Sequence, residues 1–187
     1  MRIVSGFLKG KRMDFLKSIT TRPLRDFVKE SIFNVIQHSN LIDISLDGAN
    51  VLDLYSGVGS FGIECISRGA RKTAFVESDS KALEILKRNI KNLKIQKKTR
   101  VFETKIISFI NHSNKKDKYE IIFFDPPFSE NLFIEDLKKI KKASICQKKH
   151  LIVVHREDNS KEDLNNIINI ILTKKYGRSK IIFGNLA

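Results

Sequence analysis

The apolar run Tyr119-Glu-Ile-Ile-Phe-Phe124, cut off by Asp125-Pro126-Pro127-Phe128, restricts the fold more than any other stretch of the chain. A short, nearly continuous apolar run is what a strand covered on both faces looks like, and that is the arrangement of a parallel sheet. Neither proline can donate a ladder hydrogen bond, so a central strand cannot continue through them. The chain therefore leaves the sheet at Asp125, at the carboxyl end of a strand, where open α/β sheets place their ligands. The prolines also stiffen the loop, which holds the Asp125 carboxylate, the Pro126 carbonyl and the Phe128 ring in a fixed relation. Two acceptors beside an aromatic ring suit an exocyclic amine and the base that carries it. A Pro-Pro turn with no further role is the plainer reading of the same residues.

The flanking sequence alternates between two periods. Val51–Leu54, Thr73–Val76, Thr99–Glu103, Leu151–Val154 and Ile181–Phe183 read as further strands. Phe61–Arg68, Ser80–Leu93, Ile106–Asn111, Asn131–Ala143 and Lys161–Leu172 read as helices between them. Alternation of this kind predicts a doubly wound, mostly parallel sheet. Ahead of it, Arg25 to Gln37 is helical in period, with Val28, Ile32, Val35 and Ile36 on one face. Asp26, Glu30 and Asn34 recur on another face, which is either the wet side of the helix or the border of a pocket. Residues 1–24 form a short basic extension, with Gly6 and Gly10 around Lys9, Lys11 and Arg12 suggesting a turn or hairpin. Its charge either meets phosphate or is simply solvated. The expected organisation is one domain, with residues 25–187 as its core.

Strand Val51–Leu54 runs into Asp53-Leu-Tyr-Ser-Gly57-Val-Gly59-Ser-Phe-Gly62, and Gly57, Gly59 and Gly62 match the dinucleotide fingerprint letter for letter. Glu77 closes the next strand about 20 residues on, where an acid holds ribose hydroxyls. Two features turn the reading away from a dinucleotide. Asp53 lies ahead of the loop, where it repels a pyrophosphate but attracts the ammonium of an aminoacyl group. After the fifth strand too little chain remains for a nicotinamide half-site or a substrate domain. An acid, glycines, a second acid and then Asp-Pro-Pro-Phe fit S-adenosylmethionine better. Gly57 and Gly59 let the backbone approach its methionine part, and Glu77 takes the ribose.

At this point the chain resembles the class I S-adenosylmethionine-dependent methyltransferases, and within them the RsmD family of 16S ribosomal RNA guanine-N2 methyltransferases. The matching pieces are Arg2-Ile-Val-Ser-Gly with Gly10-Lys11, and Thr21-Arg-Pro with Val28-Lys-Glu-Ser-Ile-Phe-Asn34. They continue through Asp53 to Glu64, Phe75-Val-Glu-Ser-Asp79 and Asp125-Pro-Pro-Phe128, in the same order along most of the chain. The resemblance implies a seven-stranded Rossmann-like methyltransferase sheet. It implies that Asp53, Ser56, Gly57 and Gly59 line the methionine side, that Glu77 meets the ribose, and that Asp125, Pro126 and Phe128 hold the base. Arg22, Glu30 and Asn34 fall in the segment that matches the family's cofactor and substrate rim. One departure stands out. Such enzymes often carry Asp or Asn after the third strand, beside the adenine, whereas this chain has Glu103-Thr-Lys105.

The composition fits a polyanion partner: 35 Lys+Arg against 21 Asp+Glu give a net charge of +14. A coding bias toward Lys, Ile and Asn would produce the same basicity, and the Lys138–Lys142 run equally reads as a solvated helix face. The expected partner is small-subunit ribosomal RNA or the subunit itself, met by a monomer. Cys65 and Cys146 are too few for a disulfide framework or a zinc site, and no metal is needed. Neither follows a proline, unlike the nucleophile of cytosine-C5 enzymes. His155 ends the fifth strand, a functional location, although a catalytic role there is the lesser reading. No secretory signal or membrane span is read, so the expectation is a cytoplasmic protein. Competing readings are an adenine-N6 or other amino-group methyltransferase, a catalytically idle RNA-binding assembly factor, and a dinucleotide oxidoreductase.

Overall fold

The computed structural model describes residues 1–16, 24, 26–113, 117–127, 133–160 and 162–187. Arg22 and Phe128, expected at the site, lie outside them. Helix α1 (Asp26–His38) precedes β1 (Asn50–Leu54), α2 (Ser60–Ser67), β2 (Lys72–Glu77), α3 (Ser80–Asn92), β3 (Thr99–Glu103) and α4 (Ile106–His112). The chain continues through β4 (Tyr119–Phe124), α5 (Phe133–Ala143), β5 (Cys146–Glu157), β6 (Ile168–Tyr176) and β7 (Ser179–Leu186). One seven-stranded sheet has the order β3-β2-β1-β4-β5-β7-β6. Strands β1 to β5 pair in parallel, and β7 lies antiparallel between β5 and β6.

The strands' two-residue period divides the core. Leu52, Leu54, Ile122, Phe124, Ile152 and Val154 pack against α4 and α5. Val51, Ile121, Phe123, Leu151 and Val153 pack toward α1 and the Phe61 side of α2. Phe33, Phe61 and Phe123 form a stack there, with ring centroids 5.1 and 4.0 Å apart. With both faces covered, the free functional edge is the carboxyl end of the strands. The chain winds outward from β1 to β3 and then returns to place β4 on the other side of β1. That reversal opens a crevice between the ends of β1 and β4.

One expectation changes. Within the predicted helix Lys161–Leu172, residues 162–172 instead form a turn and the start of β6, and Lys161 lies outside the described residues. Leu164, Ile167, Ile168 and Ile171 imitate a helical spacing, but the β-branched isoleucines suit a pleated surface. The two residues Gly177-Arg178 join β6 to β7, and Gly177 takes the positive φ (61°) that such a turn demands. The basic extension turns back on itself and packs against the core. One antiparallel bridge, Arg2↔Arg12, closes its turn. Ile3, Leu8 and Met13 are buried against α2 and α3, while Lys9, Lys11 and Arg12 remain exposed. Among the described residues no helix is long and apolar enough to cross a membrane.

Candidate active site

The loop after β1 is built by backbone constraints. Tyr55, Gly57 and Gly59 all take positive φ (57°, 54° and 85°), which turns the chain sharply from strand to helix. A Cβ added at Gly57 meets nothing within 4 Å, so this backbone borders open space. At Gly62 the reverse holds. A Cβ there would lie 2.4 Å from the Phe75 ring, because α2 rests directly on β2. The Gly57 N–H donates to Glu77 Oε2 at 2.7 Å, and the N–H groups of Ser78 and Asp79 both donate to Glu77 Oε1 at 2.8 Å. Glu77 therefore ties the glycine loop to the turn after β2.

Asp53 is only 1% exposed, and its Oδ2 accepts the Gly62 N–H at 2.9 Å, in the first turn of α2. Burial pushes its carboxyl well above the usual range; the Gly62 hydrogen bond opposes this, and the carboxylates of Asp125 and Glu77 add to it. A cation brought into this crevice would relieve three mutually repelling acids. Ser56 Oγ is buried and has no hydrogen-bond partner among the described residues. An orphaned hydroxyl, an open glycine backbone and an acidic cluster fit a ligand that carries an ammonium and hydroxyl groups.

Across the crevice, the Asp125 N–H donates to the Leu54 carbonyl at 3.4 Å, joining the ends of β4 and β1. The Asp125 side chain is 26% exposed, and its Oδ1 lies 2.8 Å from His155 Nδ1. The other ring nitrogen, Nε2, is 2.9 Å from Ser179 Oγ. Arg156 is buried beneath the proline loop. Its Nη1 donates to the Pro127 carbonyl at 3.1 Å and to the Pro126 carbonyl at 3.5 Å, and Nε donates to Glu162 at 2.8 Å. The Arg156 guanidinium also sits 4.5 Å over the Phe133 ring. Any amine hydrogen accepted by the Pro126 carbonyl therefore shares that oxygen with a guanidinium. Sequence alone gives His155 a minor place and does not single out Arg156. Their position just past an apolar strand is the available signal.

The rim residues are less converged. Glu30 and Asn34 are exposed on α1. Between them and the core lies Lys29, wholly buried, whose Nζ is 3.5 Å from Ser60 Oγ at the start of α2. After β3, Glu103 is exposed and paired with Lys87 at 2.6 Å, and Lys105 precedes α4 without a side-chain cap. Cys65 is buried and its thiol is pushed well up by burial, while burial raises Cys146 to about 12. Neither thiol is poised as a nucleophile. Among the described residues no group of three or more His, Cys, Asp or Glu could hold a metal ion. A cavity of about 520 Å³ opens at the amino ends of the strands, lined by Arg71, Lys72, Lys97 and Arg100. It is remote from all of the residues above.

Comparison with known proteins adds a second line. A family model described as "Conserved hypothetical protein 95" matches residues 1–185. The chain is 32% identical over 162 residues to "Ribosomal RNA small subunit methyltransferase D" of Buchnera aphidicola subsp. Acyrthosiphon pisum, covering 81% of each protein. It is 30% identical over 157 residues to the protein of the same name from Escherichia coli K12, covering 84% of this chain and 75% of that one. Among solved structures, a hypothetical protein of Thermus thermophilus superposes with a TM-score of 0.80 at 19% identity, over 100% of this chain and 99% of the other. That last likeness speaks to the fold alone.

Proposed function

The chain belongs to the family described as conserved hypothetical protein 95, and from that premise we propose that it methylates the exocyclic N2 amine of a guanine in small-subunit ribosomal RNA. S-adenosylmethionine is the methyl donor in this reading, and the assembled or assembling subunit is the substrate. The observation that carries it is the placement of Asp125. Its carboxylate stands at the end of β4, partly exposed, across the switch-point crevice from the glycine loop. The charges of Asp125 and Glu77 both act on Asp53, so the three acids share one site.

Each residue then has a task. Asp53 and Ser56 face the aminoacyl end of the donor, Gly57 and Gly59 let the backbone come close to it, and Glu77 accepts ribose hydroxyls on its remaining lone pairs. When bound, the donor supplies an electrophilic methyl group on a sulfonium. A guanine amine is a weak nucleophile because its lone pair is delocalised into the ring. A hydrogen bond to Asp125 favours a pyramidal nitrogen, and the carboxylate offsets the positive charge that develops on it. The rest is positioning, which Arg156 serves by fixing the carbonyls of Pro126 and Pro127. Phe128 would stack on the base. An unstacked target is required, which favours an exposed nucleotide.

The test is methyl transfer from labelled S-adenosylmethionine to unmodified small subunits, naked ribosomal RNA and DNA, followed by nucleoside digestion. N2-methylguanosine from the ribosomal substrates is expected. Label in methyladenine would move the assignment to adenine-N6 chemistry. Donor binding with no label in any substrate would instead favour an idle assembly factor.

A further inference from the structure

We propose that His155, oriented by Ser179, is a positioning residue for Asp125, and that its neutral form, with the proton on Nδ1, is the working state. This rests on the reading of Asp125 as the residue that meets the amine. The ring lies in a wall of the site, with only 8% of its side chain exposed. It sits on β5 and reaches both neighbouring strands, Asp125 after β4 at 2.8 Å and Ser179 on β7 at 2.9 Å. An ionised carboxylate can only accept, so Nδ1 must carry a hydrogen. In the neutral ring Nε2 is then the acceptor, and the Ser179 hydroxyl donates to it. Both nitrogens are engaged, which fixes the ring and hence Oδ1 of Asp125. The other carboxylate oxygen is left for the amine.

The protonation state matters because of charge. An imidazolium 2.8 Å from Asp125 would cancel the negative charge that the reacting nitrogen needs. It would also make the carboxylate a weaker acceptor for the proton the amine must lose. In the proposed reaction the nitrogen lone pair forms the N–C bond, the C–S pair returns to sulfur, and one N–H proton leaves, with Asp125 as its first acceptor. Other charges around the ring are engaged. Arg156 pairs with Glu162, Glu157 with Arg178, and Lys180 donates to the Ser160 carbonyl. On α1, packed over this face, Lys29 is paired with Asp26 and Glu64, and Glu30 is exposed.

The experiment measures kcat and KM between pH 5.5 and 9 with labelled S-adenosylmethionine and small subunits, for wild type, His155→Phe, His155→Gln and Ser179→Ala. Glutamine keeps an N–H for Asp125 but does not titrate. His155→Phe should lower kcat about 100-fold, the scale of a misplaced reacting group, with the donor KM within a few-fold. His155→Gln should restore most of the lost kcat and abolish the acid limb of the wild-type profile. Ser179→Ala should lie between wild type and His155→Phe. A His155→Phe enzyme that turns over like wild type, or an acid limb that survives in His155→Gln, overturns the proposal. Nitrogen-15 spectra of the imidazole give a readout that needs no substrate. The Nδ1–H tautomer is expected, with an ionisation that moves on Asp125→Asn, and an Nε2–H tautomer refutes the geometry. If no substrate is methylated, these spectra still decide the Asp125–His155 coupling, so failure of the guanine assignment is separable from failure of this one.

Discussion

Glu64→Gln is a change of one atom that should loosen the N-terminal half of the molecule. Glu64 and Lys29 both have fully buried side chains, 3.4 Å apart. Glu64 Oε2 accepts the Val4 N–H, and Oε1 accepts the Ser5 N–H and Arg68 Nε, all at 2.9 Å. Lys29 in turn donates to the Arg2 carbonyl at 3.2 Å. One carboxylate therefore fastens the docked hairpin to α2, and the hairpin to α1 through Lys29. Glutamine has the same shape but one acceptor oxygen, so in either orientation its NH2 faces a backbone N–H. One buried donor left unpaired costs about 1–3 kcal/mol. Removing one member of a buried ion pair costs about 3–5 kcal/mol in all. Against a typical total of about 5–15 kcal/mol, that is about a fifth of the stability or more. For a chain of this size it corresponds to a Tm fall of about 10 °C. Thermal melts by circular dichroism would read it, and limited trypsin digestion should show faster cleavage after Lys9, Lys11 and Arg12. Glu84→Gln is the control. Glu84 is exposed and pairs with Arg88 at 2.8 Å, and a surface pair of this kind contributes at most about 1 kcal/mol. A Glu64→Gln protein that melts within about 2 °C of wild type would refute the reasoning.

Three further outcomes are expected. Asp125→Ala should abolish methyl transfer while calorimetric affinity for S-adenosylmethionine stays within a few-fold, and retained turnover would end the amine-clamp reading. Asp53→Asn should raise the Tm of the ligand-free protein at pH 7.5. Burial holds this carboxyl above its unfolded value, so its contribution to stability is complete below that value and is lost as pH rises through the folded one. The gain should vanish near pH 4, and a lower Tm at pH 7.5 would contradict the sign. The same variant should lose donor affinity. Burial raises both thiols, Cys146 to about 12, so iodoacetamide at pH 8 should label neither cysteine in the folded protein and both in urea, as mass spectrometry would show.

Features with a local, obligatory backbone consequence were legible in the sequence. Pro126 and Pro127 end β4 wherever the rest of the chain goes. Gly57 and Gly59 permit a turn that other residues resist, and the apolar periods of β1 to β5 and α3 follow from burial alone. The region after β5 was misread because isoleucine spacing is ambiguous. Ile167, Ile168 and Ile171 suit one face of a helix as well as they suit a strand, and β7 alone decides between them. The Gly177-Arg178 turn was the local signal against a helix. Lys29 was hidden for a different reason. In sequence it is a lone lysine at the spacing of Ile32, Phe33 and Ile36 on the apolar face of α1, and its partners Arg2, Ser60 and Glu64 are distant along the chain. Burial of a charge is a property of the assembled core.

The same distinction runs through the site. Asp53, Glu77 and Asp125 could be named from their places at strand ends, because strand ends are local facts. What holds Asp125 could not. Its partners come from the end of β5 and the start of β7, and β7 is the strand that reverses the sheet's direction. Only an antiparallel β7 brings its first residue, Ser179, level with the last residues of β5, beside His155 and Arg156. A parallel β7 entering from the other edge would set its last residue there and leave the ring without Ser179. The reversed strand thus supplies the outer partner of the chain Ser179–His155–Asp125. On this argument, moving Ser179 by one residue, through an insertion in the Gly177-Arg178 turn, should disturb catalysis at least as Ser179→Ala does while leaving the glycine loop and its donor affinity intact.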